Sequence, residues 1–170
     1  GREEGEKNVI TADMGGTSFD TSLVRKGQLS YTPDLRISNI PFGVSAVDVN
    51  TIGAGGGSIA WIDTGGLLKV GPQSAGSHPG PACYNLGGVE PTVTDADLIL
   101  GYLNPDYFWG GEMKIYSELS EKAIRDQIAN PLGISIADAA HGIFEIVNRN
   151  MAAAISGITI EKGVDPRAYS

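Results

Sequence analysis

Apolar and polar positions change rhythm near residue 110. Before that point, short β-branched and apolar runs occur at residues 9–11, 21–24, 28–32, 44–52, 58–63 and 67–70, each bounded by Gly, Pro, Asn or Asp. That is the pattern of strands joined by tight turns. Lys26-Gly27 and Thr64-Gly65-Gly66 suit hairpin tips, where glycine accepts positive φ without steric cost. In the later part the spacing predicts helices. A short one runs over residues 95–103, with Asp95 placed to cap it and Pro105 to end it. A second covers 117–129, with Leu119, Ala123, Ile124 and Ile128 on one face, and stops before Pro131. The longest covers 135–161, with Ile136, Ala140, Ile143, Val147, Met151, Ala154, Ile155 and Ile158 at three- and four-residue steps. Ser135 with Asp138 forms a capping-box variant at its start, and Gly163 then Pro166 mark its far end.

Strand and helix are thus segregated, which predicts an α/β chain with a β-rich N-terminal part and a helical C-terminal part, layered as a single domain over residues 1–170. Composition supports a real core: 41% of the 170 residues are hydrophobic, which argues against disorder. The net charge of -8 disfavours nucleic acid and anionic membrane as partners. It also means that a phosphate-bearing ligand must be attracted locally, by backbone N–H groups, hydroxyls and a metal. Cys83 is the single cysteine, so no internal disulfide forms, and a cytoplasmic location is expected. No apolar run approaches the roughly 20 residues of a membrane span, and no signal peptide is visible. The start at Gly1 and the charged residues 2–7 read as the cut end of a longer polypeptide.

The candidate chemistry lies in Val9-Ile-Thr-Ala-Asp-Met-Gly-Gly-Thr-Ser-Phe-Asp-Thr-Ser-Leu-Val24. An apolar strand ends at Asp13, the chain turns through Gly15-Gly16-Thr17-Ser18, and an alternating strand leaves from Phe19. Without Cβ atoms, Gly15 and Gly16 let backbone N–H groups approach phosphate oxygens closely, and Thr17 and Ser18 add hydroxyl donors. Asp13 is the candidate metal ligand, holding Mg²⁺ through water, since that ion keeps most of its hydration shell. Asp13 and Thr17 are the candidate catalytic residues, with Ser18 and Asp20 as weaker candidates for the same site. A plain hairpin with Gly-Gly in its turn is the competing reading. The pattern is neither the P-loop nor the dinucleotide fingerprint, both of which lead into a helix.

This segment resembles the second phosphate loop of the actin, heat-shock-chaperone and sugar-kinase superfamily. Further motifs narrow the resemblance: Thr51-Ile-Gly-Ala-Gly-Gly-Gly-Ser-Ile-Ala60, Val70-Gly-Pro-Gln-Ser-Ala-Gly76, Pro79-Gly-Pro-Ala-Cys-Tyr84, Glu90-Pro-Thr-Val-Thr-Asp-Ala-Asp97, Leu103-Asn104-Pro105 running into Tyr107-Phe108, and Glu161-Lys-Gly-Val-Asp-Pro-Arg167. Together they resemble hydantoinase A and 5-oxoprolinase, the family that also supplies subunits of acetone and acetophenone carboxylases. The resemblance implies one lobe of an actin-like (ribonuclease H-like) ATPase fold, carrying the second phosphate loop. The first loop would lie upstream and an adenosine-contacting glycine segment downstream, so these residues alone should bind ATP poorly. It further implies ATP and Mg²⁺ or another divalent cation as cofactors, a cyclic amide or ketone as substrate, and a hydantoinase B-like subunit or domain as partner.

Other constellations carry weaker signals. Gly53-Ala-Gly-Gly-Gly-Ser58 is a second glycine-rich turn; Gly55, Gly56 and Gly57 are candidate ligand-binding positions, against a turn packed tightly on another backbone. The family often carries histidine where this chain has Asn50, and aspartate where it has His78. His78 and Cys83 lack the further ligands a zinc site needs, and Cys83 reads as a small buried residue in a proline-fixed turn. Asp95 and Asp97 read as acids of a helix first turn, with Asp95 also able to face a nucleotide cleft. His141 reads as a helix residue near the packed face.

Three functions remain open at this point. The leading one is an ATP-dependent hydrolase that opens cyclic amides of the hydantoin or 5-oxoproline type. The second is an ATP-dependent ketone carboxylase subunit, and the third an ATP-switched, chaperone-like binding protein.

Overall fold

The computed structural model describes residues 5–32, 35–37, 40–42 and 45–170; of the sequence-based expectations, residues 2–4 of the charged run and Val44 lie outside them. The fold is mixed α/β, with strands in the N-terminal part and helices in the C-terminal part. It comprises two compact units, each assembled from separate stretches of chain.

The first unit draws on the described parts of Gly1–Asp13, Phe19–Ile52 and Ala152–Ser170. Its main sheet places β1 (Val9–Met14) beside β2 (Phe19–Arg25), and β2 pairs on its other side with β3 (Gln28–Leu29) and β8 (Val49–Ile52). The β2–β8 register is antiparallel, with Phe19 opposite Ile52 and Asp20 opposite Thr51. Lys26 and Gly27 both take positive φ, 51° and 77°, the two left-handed positions of a primed hairpin turn. Two short ribbons follow, β4 (Tyr31–Thr32) with β7 (Ala46–Val47), and β5 (Leu35–Ile37) with β6 (Ile40–Phe42). The expected strand over 28–32 is therefore two pieces, which diverge to different partners after Leu29. Leu23, Ile158 and Val164 form the apolar centre, with Ile10 and Tyr169 packed against it. Buried Thr21 donates to the Thr11 carbonyl at 2.7 Å, so the hydroxyls between β1 and β2 are satisfied.

The second unit comprises Met14–Ser18 and Gly53–Met151. Strands β9 (Ser58–Ile62) and β10 (Leu68–Ser74) form an antiparallel hairpin whose tip is tied by Asp63, its carboxylate accepting from the amides of Gly65 and Leu67. Helix α1 (Val93–Ile99) is shorter than expected and is capped by Thr92, not Asp95. Asp95 is instead the third helical residue, closing a capping box by accepting the Thr92 amide at 3.0 Å. The helical run that opens as α2 (Ser117–Ile124) does not stop before Pro131. A π turn (Arg125–Ala129) widens the ladder, the Asn130 amide donating back to the Arg125 carbonyl, and leads directly into α3 (Asn130–Leu132), which carries the proline. Helix α4 (Ile136–Ile158) begins as expected, the Asp138 amide donating to Ser135 Oγ at 3.0 Å. It buries Ala139, Ala140, Ile143 and Val147 in this unit. His141 is exposed on that helix rather than near its packed face. A second apolar cluster gathers Cys83, Leu98 and Ile115.

Candidate functional site

The glycine loop after β1 is a tight turn, closed by the Gly15 amide donating to the Ser18 carbonyl at 2.9 Å. Gly16 and Thr17 stand at its exposed tip, and their amides find no backbone acceptor among the described residues. Adjacent N–H groups in a turn that are not spent on backbone acceptors are the kind of donors that bind an anion.

The second glycine turn braces the first. Gly56 N–H donates to the Gly15 carbonyl at 3.0 Å and Gly57 N–H to the Gly16 carbonyl at 2.6 Å. The Gly55 amide is taken by Ser58 Oγ at 2.8 Å. The approach is close: a Cβ on Gly55 would stand 2.6 Å from the Thr17 nitrogen, and one on Gly57 2.8 Å from the Gly16 oxygen. The N–H groups of Gly55, Gly56 and Gly57, candidates for ligand contact, are thus all engaged inside the protein. The bracing continues outward. The Gly56 carbonyl accepts from the Thr94 amide and hydroxyl, each at 2.8 Å, so the first turn of α1 holds the brace in place. On the other side, the Gly57 carbonyl accepts the Ala75 amide at 2.8 Å, and Ser74 Oγ lies 3.3 Å from Thr17 Oγ1. Neither Thr94 nor Ser74 had a role assigned from sequence. The Thr-Val-Thr start of α1 is the only signal that pointed at Thr94, and nothing in the alternation of β10 pointed at Ser74.

Asp13, in the first unit, carries an exposed carboxylate near the end of β1. Among the described residues no group of three or more His, Cys, Asp or Glu gathers into a metal cage. A lone exposed carboxylate suits a cation such as Mg²⁺, which keeps its waters and takes phosphate oxygens as further ligands. Asp20, also in the first unit, accepts a short hydrogen bond from Thr51 Oγ1 across the β2–β8 pair. Asn50 donates to the Ala154 carbonyl at 3.1 Å.

The remaining candidates separate clearly. Asp95 is fully buried and accepts from Ala82 N, Cys83 N, Thr92 N, Thr92 Oγ1 and Ser120 Oγ at 2.6–3.2 Å. It is an internal anchor tying the 82–84 turn and α2 to the start of α1, not a residue facing solvent. Cys83 is buried too, and burial with the Asp95 charge nearby pushes its thiol well above the usual range, which leaves no thiolate to act as nucleophile. Asp97, one turn beyond Thr94, is half-buried, and burial raises its carboxyl to about 6. His78 is exposed in the loop between Gly76 and Pro79.

Comparison with known proteins agrees with this arrangement of motifs. The chain is 50% identical over 166 residues to the caprolactamase subunit alpha of Pseudomonas jessenii, covering 98% of this chain and 24% of that protein. A chain of the crystal structure of ATP-dependent caprolactamase from the same organism superposes with a TM-score of 0.89 at 49% identity, over 99% of this chain and 24% of that one. The acetophenone carboxylase gamma subunit of Aromatoleum aromaticum is 49% identical over 167 residues, or 97% of this chain and 23% of that protein. The nucleotide-free structure of acetone carboxylase, from a study of ATP-dependent acetone carboxylation, gives a TM-score of 0.92 at 35% identity, over 99% of this chain and 24% of that one. The chain thus spans about a quarter of the length of these relatives. The hydantoinase/oxoprolinase family model matches residues 1–170. On that match and these identities, the chain belongs to the hydantoinase/oxoprolinase family.

Proposed function

We propose that these residues are the second phosphate-loop lobe, actin-like in fold, of an ATP-dependent enzyme that opens cyclic amides. The observation that carries the reading is the braced, exposed turn in which the Gly16 and Thr17 amides have no backbone acceptor among the described residues. In this reading Gly16, Thr17 and Ser18 cradle phosphate oxygens, Gly15 closes the turn with its own amide already engaged, and the Thr17 hydroxyl donates to the group in transfer. Asp13 holds Mg²⁺ through its waters. Gly55, Gly56 and Gly57 serve the nucleotide by fixing the cradle, because their own amides are already occupied. ATP, when bound, would supply a phosphoryl group to the amide oxygen, which makes the amide carbon a better electrophile, so that water adds there and the ring C–N bond breaks with the nitrogen leaving as amine. The protein assists by positioning and by spreading charge on fixed donors, which need no reorganisation as the reaction proceeds. The cyclic-amide substrate and a hydantoinase B-like partner meet parts of the enzyme beyond these residues.

The near-equal identity to the acetophenone carboxylase gamma subunit favours a second reading, in which the same cradle serves a ketone carboxylase. Both are tested on the complete polypeptide with its partner subunit. ATP turnover is measured with ε-caprolactam, hydantoin, 5-oxoproline, acetone and acetophenone, each with and without bicarbonate. Stimulation by a cyclic amide alone supports the hydrolase, and bicarbonate-dependent stimulation by a ketone the carboxylase. Turnover indifferent to every compound refutes both.

A further inference from the structure

The bulged end of β10 brings one more hydroxyl to the phosphate turn. In the β9–β10 hairpin Val70 lies opposite Ala60, yet Ser74 lies opposite Ser58. Four steps along one strand therefore match two along the other, so β10 carries two extra residues between these pairs. The irregularity is pinned: Trp61 Nε1 donates to the Gly71 carbonyl at 2.9 Å, and Gly53 packs so closely on Pro72 that a Cβ there would lie 2.9 Å from the proline ring. Bulges of this kind re-aim side chains beside functional sites. Here the result is to set Ser74 Oγ 3.3 Å from Thr17 Oγ1, while the Gly76 amide donates to Ser74 Oγ at 3.1 Å.

We infer that Ser74 is a positioning residue for the Thr17 donor, an inference that rests on the phosphate-loop reading above. The chain of donors runs from Gly76 N–H to Ser74 Oγ, from Ser74 O–H to Thr17 Oγ1, and from Thr17 O–H to a phosphate oxygen. Each hydroxyl has one proton. Either oxygen of the Ser74–Thr17 pair is able to donate in the free loop. An acceptor-only anion at the tip selects the direction in which Thr17 keeps its proton for the ligand. Because Ser74 already accepts an amide, its own O–H is the stronger donor of the two, and each link polarises the next. The class of ligand read by this chain is a phosphoryl oxygen, and Ser74 acts on it only through Thr17.

The test is a double-mutant cycle on the complete polypeptide, with ATP and adenosine as calorimetric probes in the presence of Mg²⁺. One uncharged hydrogen bond corresponds to roughly a fivefold change in Kd. Ser74→Ala is expected to weaken ATP binding about fivefold, Thr17→Val at least as much, and the double variant no more than Thr17→Val alone. Adenosine affinity should be unchanged throughout, and Ser74→Thr, which keeps the hydroxyl, should restore ATP binding. If Ser74→Ala leaves ATP affinity unchanged while Thr17→Val weakens it, or if the two losses multiply, the relay is wrong and the phosphate loop stands. A parallel loss of adenosine binding in Ser74→Ala assigns Ser74 a structural role and also overturns the relay. If Thr17→Val itself has no effect on ATP, the phosphate-loop reading fails first.

Discussion

Replacing Gly55 with alanine tests whether the second glycine turn is a brace. Gly55 is buried, and a methyl there would stand 2.6 Å from the Thr17 nitrogen and 2.7 Å from both the Gly15 oxygen and the Gly16 carbonyl carbon. Ordinary van der Waals contact begins near 3.4 Å, so each approach is too close by about 0.7–0.8 Å. All three opposing atoms are backbone, so no side chain can rotate aside. Gly55 is not among the glycines at positive φ, so the penalty is steric rather than conformational. Either the Gly15–Ser18 turn or the brace must move, stretching the Gly56–Gly15 and Gly57–Gly16 hydrogen bonds. Overpacking of this kind costs about 1–3 kcal/mol, and each weakened bond adds roughly 1 kcal/mol. A local loss of about 3–5 kcal/mol lowers amide protection at least roughly a hundredfold, at 1.4 kcal/mol per factor of ten. Hydrogen exchange of the peptides covering residues 14–18 and 53–58 reads this directly, whatever the rest of the polypeptide does. Gly16→Ala is the control: its Cβ would meet nothing within 4 Å, so protection should hold while ATP affinity falls. Unchanged protection in Gly55→Ala would refute the brace.

Three further outcomes follow from the same unit. Asp95→Asn replaces an acceptor oxygen with a donor facing the buried donors from Ala82, Cys83, Thr92 and Ser120. It should cost about 3 kcal/mol or more, seen as a lower urea midpoint; an unchanged midpoint would show that the anchor is dispensable. Asp97 holds its proton in the folded state up to about 6, against roughly 4 when unfolded. Between those values the unfolded chain has released a proton the folded one keeps, so stability should fall as pH rises from 4 to 6 and level off above. Because Asp97 stays partly exposed and solvent screens its charge, the total is on the order of 1–2 kcal/mol. Asp97→Asn should flatten that slope in urea titrations at each pH, and a slope that persists would assign it to another group. Cys83, with its raised thiol and full burial, should resist iodoacetamide in the native protein and react once unfolded. Mass spectrometry of the Cys83 peptide checks this, and rapid native labelling would contradict the burial.

The sequence by itself determined the segregation of strands and helices, the Lys26-Gly27 turn, the start of α4 and the position of the glycine loop. Each of these rests on local chemistry: alternation, positive-φ residues, or a hydroxyl capping its own helix. Its motifs, which follow one another from Asp13 to Arg167, also pointed to the family whose model matches residues 1–170. What it misassigned depended on which of several neighbouring residues takes a role, and for Asp95 also on partners distant in sequence. Asp95 reads locally as a cap, but Thr92 caps α1 and frees Asp95 to gather donors from residues 82, 83 and 120. Pro131 reads as a stop, but a π turn one step earlier makes room for it. Tertiary structure alone decided how the two glycine turns meet, forty residues apart, with the amides of one spent on the carbonyls of the other. It also decided that Ser74 reaches Thr17, since two extra residues in β10, invisible as a pattern, shift the register that sets where that hydroxyl lies. Local patterns are written in one stretch of chain; a hydrogen bond between two stretches is legible only when both are in place.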